Sequence, residues 1–414
     1  MSALLARILA LPAGENPVPE LARRRAEAAL ERTGLPGRHN ESWKYTALAA
    51  LDDLEPAPPV RRPHAAAEAL LAAAVDLHLG GALPDHRLVF CDGVYCPWLS
   101  RLPSGARFAD HDSDFVIPEA GADDPAEAIV RLALARATVA WCLNVSAPAE
   151  IHVLHLGDAP AISFGRIALA AGAACTWIEH HLLAGGGLAN HHHTVALAAG
   201  SRFEHLRFAP LRAVGITLQR TAVEVAAGAH YRLHSVTGGA RLARHEVRVS
   251  LAGESAACAL HTANILVAGQ ADEDWTVVHR APRTAGTQTF RAVAGRRGRA
   301  VCSARSLIPA GVTGGDTRQT LHGLLLDAAG EIQLRPVLDI ENDEVSASHG
   351  AGVGYLDAEA LYYLQSRGLP AAEARRLLIA ALLDEALARD LPDHLKNLWR
   401  GALERGAPPI GNGQ

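Results

Sequence analysis

Apolar residues between positions 160 and 255 recur with two periods at once. Four segments superpose: Ile167-Ala-Leu-Ala-Ala-Gly172, Val195-Ala-Leu-Ala-Ala-Gly200, Val223-Glu-Val-Ala-Ala-Gly228 and Val249-Ser-Leu-Ala-Gly253, with first residues 28, 28 and 26 positions apart. Around each unit apolar and polar positions alternate, as in His230-Tyr-Arg-Leu-His234, which is the period of a strand. A single unit of this kind leaves its apolar edge uncovered above and below, and only stacked copies bury it. Alanine and glycine keep the stacked corners thin. The pattern predicts a mainly β chain whose core, residues 151–349, is a parallel β-helix (β-solenoid). The competing arrangement is an antiparallel sandwich with evenly spaced hairpins.

The flanks have a different rhythm. Residues 1–75 read as helical: Met1 to Leu11 as a short amphipathic helix, and Pro17 to Arg32 as a segment rich in Ala, Leu, Glu and Arg with little β-branching. Glu55 to His64, with four prolines, reads as a linker. Residues 76–150 mix a strand at Arg87 to Phe90 with a helix that Asp124 caps, Pro125 opens and Ala140 ends. Residues 350–414 are helical again. Asp357 caps a helix with Ala360, Leu361 and Leu364 on one face, and Gly368 ends it. Pro370 opens a longer helix expected to turn Ala374, Leu377, Leu378, Ala381 and Leu382 inward, and Pro392 opens a third carrying Leu395, Leu398 and Trp399.

Charge narrows the partners. The 414 residues carry 39 basic against 44 acidic side chains, a net charge of −5, so no basic field points to nucleic acid. No run reaches the roughly 18 apolar residues of a membrane span. Arg7 interrupts the apolar start and no basic region precedes it, which argues against a secretory signal. The expected compartment is the cytoplasm, with reduced thiols.

Candidate chemistry is sparse. Cys91, Cys96, Cys142, Cys175, Cys258 and Cys302 include no CxxC pair, so a self-contained zinc or cluster site is not expected and each reads as a small buried hydrophobe. In the run His191 to His193, with His180 and His181 nearby, only His191 and His193 share a strand face. Two imidazoles do not close a zinc site, and the run reads as a solvated strand. There is no G-x-S-x-G, H-E-x-x-H or Walker A motif, and the only lysines are Lys44 and Lys396. A solenoid carbohydrate-active enzyme, lyase or hydrolase, needs no compact motif, because it assembles Asp and Arg from neighbouring coils. That is the alternative function.

The segment Leu338 to Gly354 ends the repeat. Leu338 and Ile340 alternate as a last strand, and Gly350, Gly352 and Gly354 then read as a loop into the C-terminal helices, with His349 at the junction. Taken alone, His349 is a turn histidine. The run Asn342 to Gly368, with Ser348-His-Gly-Ala351, Val353-Gly354, Leu356-Asp357 and Tyr362-Tyr-Leu-Gln-Ser-Arg-Gly368, resembles the C-terminal signature of the SufB/SufD family of iron–sulfur cluster assembly scaffolds. Glu41-Ser-Trp-Lys-Tyr-Thr46, Leu88 to Tyr95, His279 with Gln288, Leu324 to Leu326 and Pro336 to Ile340 extend the resemblance over nearly the whole chain. The N-terminal helical segment and the Trp-Lys-Tyr-Thr motif are closer to the SufD branch than to SufB.

The resemblance implies a right-handed solenoid and a non-catalytic scaffold. Its implied partners are a SufB-like paralogue and a SufC-like ATPase that hydrolyses ATP; the unpaired strand edges of a solenoid's last coil add the expectation of a homodimer when the paralogue is absent. The resemblance further implies that His349 serves as a transient iron or cluster ligand shared with SufB, that the nascent iron–sulfur cluster lies between the two subunits, and that reduced flavin enters at the level of the complex. Asp357, Tyr362, Tyr363, Arg367 and Trp399 are the implied partner-binding residues. Many family members place a cysteine two residues before the histidine. This chain has Ala347 there, so a thiolate at the site must come from the partner.

Overall fold

The repeat positions stack directly on one another. Ile167, Val195, Val223, Val249 and Val277 are register neighbours on successive parallel strands, so each repeat is one coil. The computed structural model describes residues 3–10, 17–46, 61–79, 81–110, 127–157, 161–183, 187–209 and 215–406. The strands begin with β1 (Arg87–Cys91), β2 (Val94–Tyr95), β3 (Ala106–Ala109), β4 (Val139–Val145), β5 (Ala149–Gly157) and β6 (Ala161–Leu169). They continue with β7 (Ala174–Leu183), β8 (Leu188–Leu197), β9 (Arg202–Phe208), β10 (Ile216–Val225), β11 (His230–Gly238) and β12 (Leu242–Leu251). The last are β13 (Ala257–Leu266), β14 (Gln270–His279), β15 (Ala285–Ala294), β16 (Arg299–Ile308), β17 (Asp316–Leu325), β18 (Glu331–Ile340) and β19 (Ser346–Tyr355).

Odd-numbered strands from β5 to β19 form one parallel sheet, which β1 and β2 complete. Even-numbered strands from β4 to β18 form the other, with β3 antiparallel at its start. The chain crosses between the sheets at every turn, which makes a β-solenoid and excludes the antiparallel sandwich. The ladder reaches beyond residues 151–349 in both directions, because β1 already pairs in parallel with β5 and β19 continues to Tyr355.

Side chains alternate between the lumen and the outer faces. Trp141, Val195, Val223, Leu233, Leu260, Trp275 and Phe290 fill the lumen, each worth about 1.5–3 kcal/mol when withdrawn from water. At the corners Gly172, Gly200 and Gly228 have φ of 69°, 67° and 61°; an added Cβ would meet no atom there, so these glycines serve the left-handed backbone rather than space. Gly165 serves space: a Cβ would lie 2.2 Å from the Trp141 ring.

Among the described residues the helices are α1 (Ala3–Ala10), α2 (Glu20–Thr33), α3 (His64–His78), α4 (Ala128–Arg136), α5 (Ala358–Ser366), α6 (Ala371–Asp384) and α7 (Asp393–Gly406), and all but α5 lay buried side chains against the rest of the protein. Helices α1, α2 and α4 pack on the even-numbered sheet through Leu4, Leu5, Leu30, Ile129, Leu132 and Leu218. Helix α4 stops at Arg136 and β4 starts at Val139, earlier than the expected end at Ala140. The β-branched and aromatic run that follows pairs with β6 instead of extending the helix. The expected cap Asp124 and most of the proline linker lie outside the described residues.

On the odd-numbered sheet, α6 and α7 lie over Ile178, Leu206, Phe208, Val236, Ile265 and Val293. The inward face of α6 is Ala374, Ile379 and Leu383; Leu377 and Ala381, expected inward, are exposed. The stripe runs on into Ala386 and Leu387, which the sheet also buries, and this sets the rotation of the helix.

Two stacked imidazoles, His234 and His261, with centroids 5.0 Å apart, lie under this cover, and Trp399 meets His234 edge-on. Burial pushes both down to about 3. A depressed histidine contributes stability that is present above the unfolded value of about 6.5 and lost as pH falls toward the folded one. Glu204, 2.9 Å from His234, is pushed up to about 7 by burial and works in the opposite direction between about pH 7 and 4.5. Asp390, held low by Arg232, adds to the loss only at lower pH. The net expectation is that the cover weakens by roughly 1 kcal/mol per pH unit below pH 6.5 and more steeply below about pH 4.5. In an acid titration followed by near-ultraviolet circular dichroism, His261→Gln should move the midpoint to lower pH. A midpoint that does not move removes His261 as the cause.

Candidate functional site

The last coil is where the solenoid remains open. Strand β19 pairs only with β17 and β18 only with β16, and no further strand covers either edge among the described residues. Pro336 lies within β18, a position proline tolerates on an edge strand. Leu334, Pro336, Leu338 and Ile340 are half-buried, while Val353 and Tyr355 are exposed. In the interior coils the equivalent positions are covered by the next coil. Such an uncovered apolar end with unpaired strand edges is a surface for association.

His349 sits in the middle of this strand. The expected glycine loop is instead β19 itself, running from Ser346 to Tyr355 in register with β17. The glycines alternate with Ala351, Val353 and Tyr355, and that alternation is itself a strand signature. A Cβ added at Gly350, Gly352 or Gly354 would meet nothing. Through register His349 tops a column of lumen positions, Trp177, His205, Leu233, Leu260, Gln288 and Gln319. Just beneath it the lumen turns polar: Gln319 Nε2 donates to Gln288 Oε1 at 2.8 Å and Thr317 Oγ1 to Ser306 Oγ at 2.8 Å. The exposed imidazole therefore stands on a hydrogen-bonded base at the open mouth of the lumen.

The five other candidates separate into two groups. Asp357 caps α5, accepting from the backbone N–H of Glu359 and Ala360. Tyr362 and Tyr363 are 73% and 56% exposed, and the Arg367 guanidinium lies 5.2 Å from the Tyr363 ring centroid. Helix α5 buries no residue, so the shared face of Ala360, Leu361 and Leu364 is only half covered. Trp399 differs: it is fully buried between α7 and the sheet. Its bulk fixes α7 on the solenoid, so it cannot itself present a surface to a partner.

The solvated histidine strand is overturned. His191, His192 and His193 are 1%, 3% and 1% exposed. His191 and His193 point into the lumen, where Glu179 lies 3.1 Å from His193 Nδ1 and 3.2 Å from His205 Nε2. Arg207 continues this polar seam, donating to Gln219, Ser235 and Thr237. Glu179, His205, Arg207 and Gln219 were missed because their polarity reads as exposure. The 28-residue spacing of Ser163, His191 and Gln219, register neighbours in one column, was the available signal.

Aligned carboxylates also exist on the outer face, as a carbohydrate-active solenoid would need, but they are closed off. Glu246 and Asp274 are register neighbours, 1% and 5% exposed and paired with Arg220, Arg244 and Arg248. The Trp43 ring covers Arg244 with the guanidinium carbon 3.9 Å from its centroid. All six cysteines are buried, and burial pushes the Cys175 and Cys258 thiols up to about 12, so neither offers a thiolate. Among the described residues no helix is long and apolar enough to cross a membrane.

Comparison with known proteins agrees with this geometry. Residues 158–382, more than half of the chain, match the model described as SUF system FeS cluster assembly, SufBD core domain. The iron–sulfur cluster assembly protein SufD of Escherichia coli is 27% identical over 377 residues, covering 86% of each chain. A SufBD family protein of Synechocystis is 28% identical over 390 residues, covering 85% of this chain and 83% of its own. The chloroplastic protein ABCI7 of Arabidopsis thaliana is 30% identical over 189 residues, 44% of this chain and 40% of its own. The family's core match spans the coils from β6 through His349 and on into α6, and the chain belongs to the SufB/SufD family of iron–sulfur cluster assembly proteins.

Proposed function

We propose that the chain is a non-catalytic, SufD-like scaffold subunit that pairs with a SufB-like paralogue through its last coil and docks a SufC-like ATPase through α5. The observation that carries this reading is the uncovered terminal coil with His349 exposed at its centre. A paralogous solenoid offering a matching edge would continue both ladders by strand addition. The imidazole would then lie between the two subunits, where a nascent iron–sulfur cluster is shared. Because every cysteine of this chain is buried and position 347 is alanine, the thiolates come from the partner, and imidazole completes the set. ATP hydrolysis belongs to the SufC-like subunit. Exposed Tyr362 and Tyr363 on α5 are suited to anchor it, since aromatic side chains on a helix face fill pockets well. Reduced flavin, if the complex uses it, is assigned to the complex and to no residue of this chain. A second copy of the chain is the expected occupant of the edge when the paralogue is absent.

The test is reconstitution of the three-protein complex with iron and sulfide, followed by visible absorption. His349→Ala, at an exposed position whose side chain fills no cavity, should leave fold and assembly intact and depress cluster yield by about tenfold or more, the order of loss for disturbing a metal ligand set. Unchanged yield would return His349 to a structural role.

A further inference from the structure

At the opposite end of the ladder from His349 lies a group of imidazoles that the assembly reading does not use. We propose that His155, His181 and His191 form a three-imidazole site inside the first coils for a borderline divalent cation of the zinc or ferrous-iron class. One ring nitrogen from each residue lies within 4.8 Å of the others, and all three residues are buried. His155 and His181 are register neighbours on β5 and β7, with rings stacked 4.8 Å apart. His191 faces them from β8 in the other sheet, its ring 4.5 Å from His155 and 5.3 Å from His181.

His155 Nε2, both nitrogens of His181 and His191 Nε2 find no hydrogen-bond partner among the described residues, although buried polar atoms are nearly always satisfied. Other buried imidazoles, such as His234, also have unpartnered nitrogens, but among the described residues only these three bring theirs together as a set of metal-ligand atoms. The remaining nitrogen of His191, Nδ1, is 2.7 Å from Ser163 Oγ. That contact orients Nε2 toward the other two rings, as an outer hydrogen bond orients a metal-bound histidine. Glu179 Oε2 lies 3.6 Å from His181 Nε2 and supplies negative charge beside the site. Nitrogens around a zinc ion at 2.0–2.1 Å stand about 3.4 Å apart, so binding requires small rotations of the rings and no change of backbone. Three neutral nitrogen donors without thiolate or a set of oxygens select zinc, cobalt or ferrous iron over calcium, magnesium or cuprous copper. The site lies in the lumen, so the cation is expected to enter as the coils form.

The experiment uses the full chain in two preparations, one purified from zinc-supplemented cells and washed with chelator, the other refolded from urea with Co2+. Stoichiometric zinc and a visible spectrum of nitrogen-coordinated Co2+ are expected, for the wild type and for His349→Ala alike. The double variant His155→Gln/His191→Gln should hold about tenfold less metal or lower still, and Ser163→Ala should weaken Co2+ binding by about 10–100-fold. A wild type free of metal in both preparations, the result a buried water would give, overturns the site, and so does a double variant that retains full metal. If the double variant does not fold, an unchanged Co2+ affinity for Ser163→Ala overturns it.

Discussion

Deleting residues 355–414 is expected to make the chain aggregate rather than leave a soluble β-core. Helices α6 and α7 are the cover of the odd-numbered sheet, not an appended module. Without them Ile178, Leu206, Phe208, Val236, Ile265 and Val293, each at most 8% exposed in the intact chain, become one apolar surface. At about 1.5–3 kcal/mol for each large side chain, the lost burial comes to roughly ten kcal/mol or more, comparable with the whole stability of an ordinary domain. Arg232 and Arg291 on the same face lose their ion-pair partners Asp390 and Glu385 in the deletion, and the apolar residues left bare on several adjacent parallel strands form a surface for association. Solubility on expression and size-exclusion chromatography decide the matter. A truncated protein that elutes as a monomer with undiminished β-sheet circular dichroism would show that the helices are dispensable. Loss of ATPase binding after this deletion would therefore say nothing about docking. Tyr362→Ala with Tyr363→Ala is the informative change, because α5 buries no residue and the cover over the sheet is untouched.

The solenoid was legible because its signal is repetition, which needs no knowledge of what each position touches. Ile167, Val195, Val223 and Val249, aligned by spacing alone, are aligned in space. Helix starts were legible where proline or an acidic cap marks them, as at Asp357 and Pro370. Their rotation was not, because the buried face of α6 is decided by the sheet beneath it, and Leu377 is as apolar as Leu383. At the candidate site, residue identity was legible and conformation was not. His349 stood out through its neighbours, but three alternating glycines read as a loop, although period two is also that of a strand. The lumen was the largest loss. In a parallel solenoid both a buried and an exposed row contain polar residues, so Glu179, His191, His193 and Arg207 could be assigned to the inside only once register was known.

Glu246→Ala is expected to cost about 3–5 kcal/mol, the range for stripping one partner from a buried ion network. The carboxylate is 1% exposed and accepts from Arg220 Nε at 2.8 Å and from Arg244 Nε at 3.0 Å. Burial alone would raise its pKa, but Arg220, Arg244 and Arg248 hold it well below the usual carboxylate range, so it stays ionised at neutral pH. Removing it leaves two buried guanidinium groups short of charge. Arg220 keeps Glu127, and Arg244 keeps Asp272 and Asp274, yet burial pushes Asp272 up to about 6, which makes it a weaker counter-ion. The effect reaches the N-terminus, because Trp43 is fully buried with its ring on Arg244. The same segment is tied down by Gln270 Nε2 donating to the Tyr45 carbonyl at 3.1 Å and by ion pairing of Glu41 with Arg335. Trp43→Ala should accordingly cost a similar 3–5 kcal/mol. If both act through Arg244, the double variant loses less than the two single losses combined. Urea unfolding followed by far-ultraviolet circular dichroism measures all three. A Glu246→Ala protein within about 1 kcal/mol of the wild type would show that the arginines find water or other partners, and that the network does not fasten the N-terminal segment to the solenoid.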